Sequence, residues 1–97
     1  MNIVYVAFRG HFSDSPRAIY EALLEQGSQS PAAGATHTWL VAPHLEDTFP
    51  AGIATAEFGS PECIAALEGA AVVVSNDHIP LDWEKKPGAR YLQTWHG

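Results

Sequence analysis

Residues 70–75 read AAVVVS and residues 3–8 read IVYVAF. Both are short, continuous apolar runs rich in β-branched or aromatic side chains. An amphipathic strand alternates apolar with polar residues. A strand covered on both faces of a parallel sheet does not, and it gives runs of this kind. Residues 37–42 (HTWLVA) repeat the pattern, residues 53–58 suggest a short edge strand, and residues 90–94 a final strand.

Between these runs lie helical signals. Ser13-Asp14-Ser15-Pro16 places capping side chains before a proline suited to the first helical position. Ala18, Ile19, Ala22 and Leu23 then follow helical spacing, and Gly27 is a natural stop. Ser60-Pro61-Glu62 repeats the cap-then-proline signal, and the second helix ends near Gly69. Residues 28–36 are small and rich in turn formers, as in a surface loop. Residues 45–51 read as a turn or a short helical piece. The order strand, helix, strand, strand, helix, strand, strand predicts an α/β fold. Its sheet is mostly parallel, with right-handed crossovers and flanking helices.

The totals narrow the function classes. The chain has 97 residues, about one modest domain with a thin core. Its formal net charge is −6 and it holds five Lys and Arg, too few for the basic stripe that nucleic-acid binding requires. No partner nucleic acid is therefore expected, nor a polybasic membrane patch within this segment. The single cysteine, Cys63, makes no internal disulfide and reads as a buried structural thiol in a reducing, cytoplasmic setting. No run approaches the ~20 apolar residues of a membrane span.

In an open parallel sheet, ligands bind beyond the carboxyl ends of the strands. Those ends carry Arg9-Gly10-His11, Pro43-His44, Ser75-Asn76-Asp77-His78 and Trp95-His96-Gly97. The first segment leads into a helix start, where backbone N–H groups favour an anion. The same residues also serve as an ordinary cap. Asn76 either bonds a ligand hydroxyl or holds the following turn. His96, after a strand and a Trp, is the sharpest candidate for proton removal, since imidazole titrates near neutrality. No glycine-rich dinucleotide fingerprint, phosphate loop, paired cysteines or metal-ligand spacing stands out, and no cofactor or metal is expected.

Two segments together resemble a known family. FSDSPRAIYEALL (residues 12–24) is followed by Trp39-Leu40-Val41; VVVSNDHIP (72–80) is followed by Lys86-Pro87 and YLQTWHG (91–97). This succession is similar to that of the CDP-glycerol glycerophosphotransferases of teichoic acid synthesis. The resemblance implies a Rossmann-like unit, residues 1–97 forming one partial domain, like the N-terminal lobe of a GT-B-type transferase. It implies transfer of glycerol phosphate, or a related polyol phosphate, from a CDP-activated donor to a hydroxyl of a cell-wall polymer or lipid-linked acceptor. His96 would be the general base. Arg9, Gly10, Asp14, Arg17, Asn76 and Gly97 would lie on the substrate side, Asp14, Pro16 and Arg17 as scaffolding or acceptor contacts.

Ser15 stands where the family usually has Asn. Members of the family also continue past the position of Gly97 with Thr, Pro and a second, donor-binding lobe. The resemblance therefore implies a fragment with no useful transferase activity alone. Its full-length form would be cytoplasmic and peripheral at the inner face of the membrane. The competing expectation is a non-enzymatic α/β binding or assembly module. A small response-regulator-like domain is a weaker third, because it needs acidic residues where Arg9-Gly10-His11 stand.

Overall fold

The computed structural model describes residues 1–29 and 33–94. Strands β1 (Asn2–Val6), β2 (Thr36–Val41), β3 (Ala54–Glu57), β4 (Val72–Ser75) and β5 (Arg90–Gln93) form one sheet in the order β3-β2-β1-β4-β5. Every neighbouring pair is parallel. Helix α1 (Asp14–Gln26) joins β1 to β2, and helix α2 (Pro61–Gly69) joins β3 to β4. A 3-10 turn, Glu46–Thr48, occupies the segment expected to be a turn or short helical piece.

Side chains alternate across the sheet. Ile3, Tyr5, Ala7, Trp39, Val41 and Val74 face α1, where Ile19, Tyr20 and Leu23 pack on them. Val4, Val6, Leu40 and Val73 face the other way, against Cys63 and Leu67 of α2. Both faces of β1 are thus covered, which explains its unbroken apolar run. The chain winds outward from β1 through β2 to β3, then returns to lay β4 on the other side of β1. The strand order reverses between β1 and β4, and in such sheets that reversal opens the ligand crevice at the carboxyl edge.

The two helix starts differ. At α2, Ser60 Oγ accepts the Cys63 N–H over 3.1 Å and Pro61 opens the helix, as the sequence signal predicts. At α1, Ser13 sits at the cap position but its side chain makes no capping bond. The apolar face also differs from the expected one. Pro16, Ile19, Tyr20 and Leu23 turn inward, while Ala18 and Ala22 are exposed. Aromatic contact on the α1 side favours the larger residues: Tyr20 meets Tyr5 edge-on, with ring centroids 5.3 Å apart.

The connection over residues 76–89 carries no helix. It is anchored by Ile79, which is buried, and by Trp83, which stacks on Tyr91 of β5 at 6.2 Å. Cys63 is fully buried, as expected of a structural thiol, and burial pushes its pKa up. No described helix is long and apolar enough to cross a membrane.

Candidate functional site at the carboxyl edge

The parallel pairings bring the loops that follow β1, β2 and β4 to one rim. Strand β1 ends at Val6, two residues before the run read from sequence, because the backbone turns left-handed beyond it. Phe8 has φ 48°, Arg9 φ 60° and Gly10 φ 134°. Left-handed backbone costs a residue with a β-carbon about 1–2 kcal/mol, so surrounding contacts must hold Phe8 and Arg9 in place.

Those contacts come from both neighbouring strands. On the β2 side, the Ala42 N–H donates to the Gly10 carbonyl over 2.9 Å. Within the loop, the N–H groups of Gly10 and His11 both donate to the Ala7 carbonyl, over 3.0 and 2.8 Å. On the β4 side stands Asn76, which is fully buried. Its Oδ1 accepts the Phe8 N–H over 2.9 Å, and its Nδ2 donates to Asp14 Oδ2 over 2.8 Å. One amide therefore joins the end of β4, the loop after β1 and the start of α1. Asp14 has φ 59°, so the first residue of α1 is itself strained and tethered.

Arg9 reaches outward. Its side chain is 57% exposed, with Nε 3.8 Å from Asp77 Oδ2. A pair this long and this exposed contributes little. Arg17 is committed elsewhere: Nε lies 3.2 Å from Glu21 Oε2, and the guanidinium covers the Phe12 ring at 4.6 Å from its centroid. Arg9, Gly10, Asp14 and Asn76 thus come together at the rim. Arg17 lies one helical turn beyond Asp14 and faces Glu21 and Phe12. His96 and Gly97 lie outside the described residues.

A depression of about 380 Å³ lies elsewhere. It lies among Glu68, Glu84, Lys85, Lys86 and Pro87, which precede β4 and β5 and so mark the amino edge of the sheet. Its walls mix both signs of charge and gather no set of groups suited to catalysis. Among the described residues, no three His, Cys, Asp or Glu side chains converge to hold a metal.

Sequence reasoning left two features of the rim unseen. Nothing in the residue types announces left-handed backbone at Phe8 and Arg9. Ala42, as the partner of Gly10, has no sequence signal beyond the freedom of glycine itself.

A doubly wound parallel sheet with a polar rim at its strand-order reversal is a frame on which α/β proteins bind ligands. The family model described as CDP-glycerol:poly(glycerophosphate) glycerophosphotransferase matches residues 1–97, and the chain belongs to that family. The teichoic acid poly(glycerol phosphate) polymerase of Staphylococcus epidermidis is 32% identical over 96 residues, which is 98% of this chain and 13% of that protein. Solved structures of the wall teichoic acid polymerase TagF are similar across 99% of this chain. A His-to-Asn variant is 30% identical with TM-score 0.77, and a His-to-Ala variant is 33% identical with TM-score 0.77. The His-to-Asn variant soaked with CDPG gives a TM-score of 0.79. The chain spans 22–23% of the length of these solved relatives.

Proposed function

We propose that this chain is the acceptor-side part of a transferase. The enzyme moves glycerol phosphate, or a related polyol phosphate, from a CDP-activated donor to a hydroxyl of a cell-wall polymer or lipid-linked acceptor. The family match along the whole chain carries this reading. His96 is the general base: its imidazole takes the proton of the acceptor hydroxyl as the oxygen attacks the phosphorus bearing glycerol. The bond from that phosphorus to the bridging oxygen breaks, and cytidine monophosphate leaves. Histidine is also the residue type replaced in the solved relatives.

Arg9 supplies a cation on the substrate side, and Arg17, held by Glu21 and the Phe12 ring, flanks it from α1. Gly10, Asp14 and Asn76 shape that side, and Gly97 adjoins the base. Phosphoryl transfer depends on positioning and on neutralising charge. With five Lys and Arg in all, this chain supplies little of the second, so the donor is held by the remaining length that the relatives possess. Alone, the chain binds without turnover. The complete enzyme works peripherally at the inner face of the membrane.

The test is a chimera in which residues 1–97 replace the matching part of the S. epidermidis polymerase, assayed for release of cytidine monophosphate from CDP-glycerol. Transfer is expected, with His96→Ala lowering the rate by about 10²–10⁴-fold, the usual contribution of a general base. A His96→Ala chimera as fast as its parent removes His96 from the mechanism. A folded but inactive parent chimera removes the transferase reading.

A further inference from the structure

Asn76 is a fully buried polar side chain at the reversal point of the strand order, where an open α/β sheet would otherwise present its crevice. Its amide does not face an empty cleft. Both of its polar atoms are used, on partners 68 and 62 residues away in sequence. One partner, the Phe8 N–H, opens the left-handed stretch whose next residue is Arg9. The other, the Asp14 carboxylate, is the first residue of α1 and stands where Ser13 fails to cap.

We propose that Asn76 and Asp14 are a positioning pair: together they hold the Phe8–Arg9 turn so that the Arg9 guanidinium meets the phosphate of an incoming polyol phosphate. The proposal rests on the acceptor-side reading above and narrows it. Asn76 and Asp14 act through the loop, and Arg9 touches the ligand. Without the pair, Phe8 and Arg9 relax toward ordinary negative φ, and the guanidinium leaves the rim. The charged or titratable neighbours of the loop include Asp77, at 3.8 Å from Arg9, the Asp14 carboxylate bound to Asn76, and the exposed His11. A phosphate with two negative charges outcompetes the single, distant Asp77 carboxylate for Arg9.

The pair can be inverted. In Asn76→Asp, two carboxylates face each other across what was a 2.8 Å hydrogen bond, and they repel. Adding Asp14→Asn restores one amide and one carboxylate with their positions exchanged. In that double variant the amide at position 14 donates to the carboxylate at position 76, whose second oxygen still accepts the Phe8 N–H.

The experiment follows the amide and guanidinium signals of the 97-residue chain by NMR while sn-glycerol 3-phosphate is added, with glycerol as the uncharged control. The wild type is expected to bind the phosphate saturably through the Arg9 Nε–H, and Arg9→Ala to lose that response. Asn76→Asp is expected to weaken binding about tenfold or more and to speed hydrogen exchange at the Phe8 amide. The inverted double variant is expected to recover both to within about threefold.

Exchange restored without binding means that Asn76 or Asp14 contacts the ligand directly, which overturns the positioning role. Unchanged binding in Asn76→Asp, or no phosphate response in the wild type, overturns it too. None of these signals requires a donor or His96. Binding that follows the pair, beside a chimera that fails to transfer, leaves this proposal standing and refutes the transferase reading.

Discussion

Gly10 and Ala42 lie backbone to backbone. A β-carbon added to Gly10 would sit 2.1 Å from the Ala42 nitrogen and 2.6 Å from its Cα. The same approach lets the Ala42 N–H donate to the Gly10 carbonyl over 2.9 Å. Contact with backbone cannot be relieved by rotating a side chain. Gly10 also has φ 134°, which L residues rarely adopt.

Gly10→Ala therefore loses the loop's fastening to β2 as well as its relaxed backbone. The expected cost is about 3 kcal/mol or more, in the range of steric and backbone defects rather than of surface changes. Urea unfolding followed by circular dichroism reads it directly. A midpoint equivalent to a loss under about 0.5 kcal/mol would mean that the two backbones are not in contact.

Trp39 gives a second prediction, with two opposing terms. It is fully buried among Tyr5, Phe12, Tyr20 and Phe49, whose ring centroids lie 4.9–5.9 Å away. Its Nε1 is buried and has no hydrogen-bond partner among the described residues. An unpaired buried N–H costs about 1–3 kcal/mol, and Phe removes that cost together with part of the ring volume. Trp39→Phe should thus destabilise by only about 1 kcal/mol, whereas Trp39→Ala should cost about 3–5 kcal/mol. The comparison is made by thermal and urea unfolding. Equal losses for the two variants would mean that a water or another group satisfies the indole.

The strands were legible because burial on both faces leaves a composition signature that needs no knowledge of neighbours. Residues 3–6 and 72–75 show it most clearly, and the flanking β3 is a short edge strand as its weaker pattern suggests. The parallel arrangement followed from the alternation with helices, and with it the shared rim of Arg9, Gly10 and Asn76. What failed was local. The Ser13 signal at α1 matches the Ser60 signal at α2, yet only Ser60 caps, and the start of α1 is instead tied through Asp14 to Asn76, 62 residues away beyond the end of β4. Local sequence cannot register such a partner. Ala18 and Ala22 satisfied helical spacing as well as Ile19 and Tyr20, and only the aromatic surface of β1 and β2 decides which stripe turns inward. The two readings of Asn76, ligand contact or support of a turn, were likewise separable only once both ends of its amide had visible partners.

The α1 face also carries a titrating group. The Tyr5 hydroxyl lies 2.7 Å from His37 Nδ1, Tyr5 stacks beside His37 at 5.7 Å, and Tyr20 meets it edge-on at 5.5 Å. Burial lowers the His37 pKa from the ordinary histidine value and raises that of Tyr5 well above the ordinary phenol value, with the neighbouring Tyr20 adding to the latter. The phenol thus keeps its proton, and it shares its hydrogen bond with a neutral imidazole. Because the folded-state pKa is depressed, the unfolded chain binds a proton at His37 more readily than the native one. The stability this group contributes is present above the unfolded value of about 6.5 and is lost as pH falls through the folded value. His37→Gln keeps a polar side chain in place and removes the titration. Urea midpoints measured from about pH 7.5 down to about pH 5 should fall more steeply for the wild type than for His37→Gln. The remaining titrating groups are common to both chains and cancel in the difference. Parallel pH profiles would show that His37 protonates equally well in both states, and that the bond to Tyr5 does not depend on a neutral ring.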